Sequence, residues 1–159
     1  MTPGFPSSRL CAIFDLDGTL ADLSHRAHLI QHVDYNANTP RQWEAFYAGM
    51  KHDTLIGPMR IVLHSLQMRR TGIVICTGRG EENRDVTEWW LTENNIFPDG
   101  LYMRAAGDFR QDVEVKGELA DKILADGWLP FVVFEDRSRV VEMWRARGLL
   151  CAQVARGDF

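Results

Sequence analysis

Five short apolar runs recur along the chain: LCAIFD (10–15), IVICT (73–77), LYMR (101–104), FVVFED (131–136) and LCAQV (150–154). Most are apolar at consecutive rather than alternate positions. That pattern suits strands covered on both faces, as in a parallel sheet flanked by helices. Between the runs, apolar residues return at helical spacing. IGPMRIVLHSLQMRR (56–70) has Pro58 near its start, and EENRDVTEWWLTEN (81–94) opens acidic. VEVKGELADKILADG (113–127) ends at a glycine, and SRVVEMWRARG (138–148) begins at Ser138, read as its cap, and ends at Gly148. Alternating strands and helices predict an α/β fold built on one parallel sheet. Between Asp22 and Gly57 the alternation stops. SHRAHLIQHV and PRQWEAFYAGM are helical in pattern and no strand is expected there. This segment, about 22–57, reads as a helical insertion above the sheet edge, a partial lid or a surface elaboration.

Ligands of doubly wound sheets bind beyond the carboxyl ends of the strands. The first run ends in Asp15-Leu16-Asp17-Gly18-Thr19, the second in Thr77-Gly78-Arg79 and the fourth in Glu135-Asp136-Arg137. Arg110, Asp112 and Lys116 precede or open the helix after the third. These groups are expected to converge on one crevice. Carboxylates with a hard cation call for oxygen ligands and Mg²⁺. Lys, Arg and Thr beside them hold phosphate oxygens. A carboxylate also serves as nucleophile on phosphorus, with a second one for proton transfer. Asp15 is the expected nucleophile and metal ligand. Asp17 is the expected acid/base, its backbone carbonyl free to meet the metal. Gly18 lets the chain turn sharply.

Composition narrows the picture. The 159 residues suit one domain with its own core, and 45% apolar content is that of a globular chain. A net charge of −4 argues against a general DNA-coating protein. No run approaches a membrane span of about 18 residues. The first residues, MTPGFPSSRL, lack an apolar signal region, and 1–9 read as a loose leader. Cys11, Cys76 and Cys151 lie in or beside strands and form no CxxC. Buried reduced thiols, and hence a cytoplasmic protein, are expected.

DLDGT, then a strand ending TGR, then a lysine, then a strand ending ED, resembles the haloacid dehalogenase (HAD) superfamily of phosphatases. GDFRQDVEVK (107–116), FEDRSRVVEMWRARG (134–148) and QVARGDF (153–159) are similar to the 3′-phosphatase domain of phage polynucleotide kinase-phosphatases. The resemblance runs from about residue 10 to 159. It implies a Rossmann-like sheet of order 3-2-1-4-5 with helices on both faces. It further implies Mg²⁺ and a phospho-aspartate on Asp15, with Asp17 as acid/base. Thr77, Gly78, Arg79 and Lys116 would bind the phosphate, and Asp136 would share the metal with Asp15 and Asp17. Arg26 and Asp112 fall where that family has functional polar residues. The implied substrate is a 3′-phosphorylated nucleic acid end or nucleotide.

Three departures bear on that reading. No GxxxxGK[ST] loop occurs, so no kinase activity is expected. The insertion is longer than in the phage enzyme, and Glu135 stands where an aspartate often precedes the metal aspartate. Glu135 is expected to support the metal site from behind it. A small-nucleotide phosphatase remains an alternative, suited by the acidic charge and the insertion. A binding module that lost its chemistry is opposed by four intact motif elements. His25, His28 and His32 have helical spacing but no nearby cysteine or acid, so a structural role is expected rather than zinc. Trp89, Trp90 and Trp144 are expected in the core. Trp43, Phe46 and Tyr47 are the candidates for stacking on a base.

Overall fold

The computed structural model describes residues 9–30 and 37–157. Its main sheet contains β1 (Arg9–Phe14), β4 (Gly72–Gly80), β5 (Gly100–Arg104), β6 (Trp128–Glu135) and β7 (Cys151–Gln153). The spatial order is β5-β4-β1-β6-β7, with every neighbouring pair parallel. Counted within this sheet alone, that is the expected 3-2-1-4-5. The first strand therefore lies at the centre, and its end faces the point where the chain reverses its winding.

Successive residues of β1 point to opposite faces, which divides the core in two. Cys11 and Ile13 pack with Val74, Cys76 and Val133 under α5 (Asp112–Ala125) and α6 (Ser138–Ala146). Ala12 and Phe14 pack with Ile73, Ile75 and Val132 under α3 (Gly57–Met68) and α4 (Arg84–Glu93). Phe14 and Phe134 stack across β1 and β6 with centroids 4.7 Å apart. Consecutive apolar positions in the sequence thus reflect two covered faces. Cys11, Cys76 and Cys151 are buried free thiols, and burial pushes Cys76 up to about 12. Among the described residues no helix is long and apolar enough to cross a membrane.

Several local expectations need correction. A two-stranded antiparallel ladder closes the base of the insertion, pairing β2 (Ala21–Asp22) with β3 (Thr54–Leu55). Two residues per strand are too few to show a period, so the pattern gave no sign of it. Within the insertion lie α1 (Ser24–Ala27) and α2 (Pro40–Ala48). Thr39 caps α2 reciprocally with Gln42, and Pro40 fills the first helical position. Ser138 is the first residue of α6 rather than its cap, and its Oγ accepts from Gln153 Nε2 at 3.0 Å. Trp89 is 46% exposed, whereas Trp90 and Trp144 are buried. The neighbouring tryptophans sit about 100° apart on α4, and only one can face the sheet. Arg9 belongs to β1, while the rest of the expected leader and His32 lie outside the described residues.

The two buried indoles differ in their polar edge. Trp90 Nε1 donates to the Asp53 carbonyl at 2.7 Å, while Trp144 Nε1 has no partner among the described residues. Trp90→Phe strands a buried carbonyl, but Trp144→Phe removes an unsatisfied donor. Urea unfolding is expected to show Trp90→Phe less stable than Trp144→Phe by about 1–2 kcal/mol.

Candidate active site

Beyond β1 the chain makes a tight turn. The Leu16 carbonyl accepts from the backbone N–H groups of Thr19 (3.2 Å), Leu20 (2.9 Å) and Ala21 (2.8 Å). Leu16 and Leu20 are fully buried and pin the turn to the core. Gly18 has φ +86°, and a Cβ there would lie 2.2 Å from Asp136 Oδ2. Glycine thus meets two demands at once, left-handed backbone and close approach to a carboxylate. The result is that Asp15 and Asp17 emerge into different surroundings.

Asp15 faces an ammonium. Lys116 Nζ, carried by α5, donates to Asp15 Oδ1 at 2.6 Å and to Glu135 Oε2 at 2.7 Å. Thr19 Oγ1 donates to Asp15 Oδ2 at 3.2 Å. Burial, then the charge of Glu135, push Asp15 up to about 7 despite Lys116. Burial would lower Lys116, but Asp15 and Glu135 outweigh it and raise the ammonium well above its ordinary value.

Asp17 faces guanidinium groups. Arg79 donates to it from Nε (3.0 Å) and Nη2 (2.5 Å), and Arg26 from Nη2 (3.0 Å). Burial alone would raise Asp17, but Arg79 and then Arg26 hold it down at about 2. Both arginines are buried, Arg26 at 1% exposure with its guanidinium 4.1 Å over the Phe46 ring. Asp53 lies behind them. It accepts from Arg26 Nε and Nη2 (both 2.7 Å) and from Arg79 Nη2 (2.8 Å).

The remaining expected groups form the opposite wall. Thr77 Oγ1 accepts from the Arg79 backbone N–H at 3.2 Å and keeps its own proton to donate. Asp112 lies in the first turn of α5 and pairs with Arg104 Nη2 and with Arg137 Nη1, the latter at 2.5 Å. Gly78 abuts this carboxylate, since a Cβ there would lie 2.8 Å from Asp112 Oδ1. An ionised Asp112 repels phosphate, so its contribution runs through the two arginines it holds. Arg110 is not brought to the crevice. It pairs with Asp108 and Glu118 on the surface. In the insertion, Trp43 and Tyr47 stack with centroids 5.6 Å apart, and Phe46 is buried beneath Arg26. Burial raises the Tyr47 hydroxyl, and the charges of Glu82, Arg104, Asp112 and Asp17 all act on it. Through Phe46, α2 thus packs against one of the two arginines that hold Asp17.

Asp53, Arg104 and Arg137 join the site without having been assigned roles from the sequence. Arg137 was legible as a strand-end cation, and Arg104 closes the LYMR run. Asp53 sits in HDTL, where nothing local marks it. His25 Nε2 lies 2.9 Å from Asp53 Oδ1, so that histidine serves the same cluster.

Asp15, Glu135 and Asp136 each bring a carboxylate oxygen within 4.8 Å of the others, all three buried. Three carboxylates face one ammonium. Glu135 spends Oε2 on Lys116 and Oε1 on the backbone N–H groups of Asp136 (3.1 Å) and Arg137 (3.3 Å). Asp136 Oδ1, by contrast, is buried without a partner among the described residues, and burial and then Asp15 push Asp136 up to about 6. A hard divalent cation fits this deficit of positive charge and this oxygen-only donor set. Asp15 and Asp136, with Glu135 in the same cluster, carry the side-chain oxygens that could hold it, alongside the Asp17 backbone carbonyl expected from the sequence.

A family model described as the phosphatase domain of polynucleotide kinase PNKP matches residues 9–159. Two solved structures of a Pnkp1/Rnl/Hen1 complex contain similar chains. One is 31% identical with a TM-score of 0.77 and covers 96% of this chain but 47% of its own. The other, an RNA repair complex, is 30% identical with a TM-score of 0.77 and covers 98% and 45%. This chain thus spans just under half the length of those relatives. A HAD-superfamily hydrolase from Geobacter sulfurreducens shares the fold at 15% identity and a TM-score of 0.60, covering 95% of this chain and 93% of its own. With the match spanning the whole described domain, the chain belongs to the PNKP phosphatase-domain family and is a HAD-type phosphomonoesterase.

Proposed function

We propose that this chain is a Mg²⁺-dependent polynucleotide 3′-phosphatase that heals nucleic acid ends through an aspartyl-phosphate on Asp15. The observation that carries this is geometric. Two carboxylates two residues apart have different partners: Asp15 meets Lys116 and Thr19 and shares a buried carboxylate cluster with Glu135 and Asp136, while Asp17 is gripped by Arg79 and Arg26. One is placed beside a cation site and the other beside anion-binding guanidinium groups, which supports a division of labour between nucleophile and acid/base. The family match and the resemblance to a chain from an RNA repair complex support a nucleic acid end as the substrate. The buried free thiols support a reducing, cytoplasmic setting.

In the first step an Asp15 oxygen attacks phosphorus, its P–O bond forming as the bond to the leaving oxygen breaks. Asp17 delivers a proton to that oxygen. A phosphate dianion bound against Arg79 cancels part of the positive charge that keeps Asp17 ionised, which moves Asp17 toward the protonated form. In the second step Asp17 takes a proton from water, water oxygen bonds to phosphorus, and Asp15 leaves as a carboxylate. Lys116, Thr77 and Arg79 bind the phosphoryl oxygens throughout, while Gly78 leaves room for their approach. Bound Mg²⁺ neutralises negative charge on Asp15 and the phosphoryl group.

A small nucleotide is the second reading, favoured by the net charge of −4 and by an insertion that packs against the arginines around Asp17. A panel of 3′-phosphorylated oligonucleotides, 3′- and 5′-mononucleotides and an aryl phosphate separates the two. Preference for the oligonucleotide with a steep loss of binding in salt supports the end-healing enzyme; preference for a mononucleotide with a shallow salt response supports the alternative.

Asp15→Asn is expected to abolish turnover. Asp17→Asn is expected to give a burst of aryl oxide and then slow turnover, because an aryl leaving group needs little protonation but water still needs its base. Intact-mass analysis after acid quench should find phosphate on Asp15. A normal steady rate in Asp15→Asn would exclude the two-step route. Excess EDTA should abolish activity, and Asp136→Asn should raise the Mg²⁺ concentration needed by an order of magnitude or more; unchanged metal dependence moves the ligand elsewhere. Trp43→Ala or Tyr47→Ala should lower nucleotide turnover more than aryl-phosphate turnover. Equal losses would reduce these rings to packing.

A further inference from the structure

Among the described residues, Asp53 is a fully enclosed acid near the crevice that lies outside the candidate metal cluster and meets the two arginines holding Asp17. Its side chain is 0% exposed. It lies just before β3, where the insertion rejoins the sheet domain. Four donors converge on it or its backbone. Arg26 grips both carboxylate oxygens through Nε and Nη2, and Arg79 Nη2 reaches Oδ2. His25 Nε2 faces Oδ1, and Trp90 Nε1 holds the carbonyl from α4. The same Nη2 atoms of Arg26 and Arg79 also donate to Asp17 Oδ1, at 3.0 and 2.5 Å.

The described side-chain hydrogen bonds of Asp17 therefore all come from two guanidinium groups that share Asp53 as a second anchor. A guanidinium is a rigid planar fork, so fixing it on one carboxylate fixes where its other N–H groups point. Resting on that two-step reading, we infer that Asp53 is a positioning residue for the reaction. It locks Arg26 and Arg79, and they in turn hold the Asp17 carboxylate in line with the leaving oxygen and the attacking water. It touches neither substrate nor reacting atoms. Because Arg26 and His25 belong to α1 and Asp53 to the far end of the insertion, the lock also closes the insertion's two ends over the catalytic acid.

A purely structural Asp53 would lower the fraction of active enzyme, so every kinetic amplitude would fall together. A positioning Asp53 acts mainly on the steps that use Asp17, because Lys116 and Thr77, which it does not touch, still hold the phosphoryl group for attack by Asp15. The experiment is pre-steady-state hydrolysis of an aryl phosphate and steady-state hydrolysis of a 3′-phosphorylated oligonucleotide by Asp53→Asn, beside wild type and Asp17→Asn. The expected result is a full burst of about one aryl oxide per enzyme. A steady rate lowered about 100-fold should follow, the scale of an ångström misplacement in a reacting group. KM for the aryl phosphate should fall along with the steady rate as the phospho-enzyme accumulates, and phosphate should be trapped on Asp15. A burst reduced in proportion to the steady rate, or kinetics equal to wild type, overturns the inference. Should Asp53→Asn not fold, Arg26→Lys keeps the charge but cannot span both carboxylates, and the same split is expected of it; proportional losses there overturn the inference equally. A burst in Asp17→Asn without one in the Asp53 variant refutes this inference alone. Absence of a burst and adduct in Asp17→Asn refutes the two-step reading beneath it.

Discussion

The ammonium of Lys116, buried between Asp15 and Glu135, ties α5 to the ends of two central strands. A lysine so enclosed requires partners, because an unpaired charge there carries a desolvation cost of several kcal/mol. The two carboxylates are equally dependent on it. Remove the ammonium and three acids share one buried pocket. Remove the Asp15 carboxylate and, among the described residues, the lysine keeps Glu135. Such an arrangement is a weak source of net stability but a strong constraint on geometry, since only one register of helix against sheet satisfies all the partners. Glu135 meets the lysine with one oxygen while its other oxygen accepts from the Asp136 and Arg137 amides.

A second polar cluster stands beside the first and has the opposite excess to manage. Around Asp17 two arginines and two acids balance charge for charge, and all but Asp17 are buried. Around Asp15 the negative charge is in excess. One crevice wall therefore draws cations and the other holds a carboxylate ionised while keeping cationic N–H groups ready for anions. The two opposed charge balances are carried by residues two positions apart, Asp15 and Asp17.

Much of this was legible in the sequence, for a definite reason. Asp15, Thr77 and Asp136 each end an apolar run, and a parallel sheet delivers strand ends to one edge. Lys116 came from motif context, since an isolated helical lysine gives no sign of being buried. What stayed hidden depends on contacts remote in sequence. Asp53 precedes a strand of two residues and gains meaning only from arginines 27 and 26 positions away. Trp89 and Trp90 are equal in hydrophobicity, and only the facing of α4 separates them. Arg110 looked like its neighbours but met surface acids first. Ser138 had the chemistry of a cap, yet the helix took it as its first turn.

The Lys116–Asp15 bond joins residues 101 positions apart. Contacts of such separation are slow to form, because a long loop must close before any energy returns. A nascent or partly folded chain that has built β1 but not yet docked α5 carries its DLDGT turn without the ammonium, and with it no ordered crevice. Completion of the crevice is thereby tied to completion of the fold.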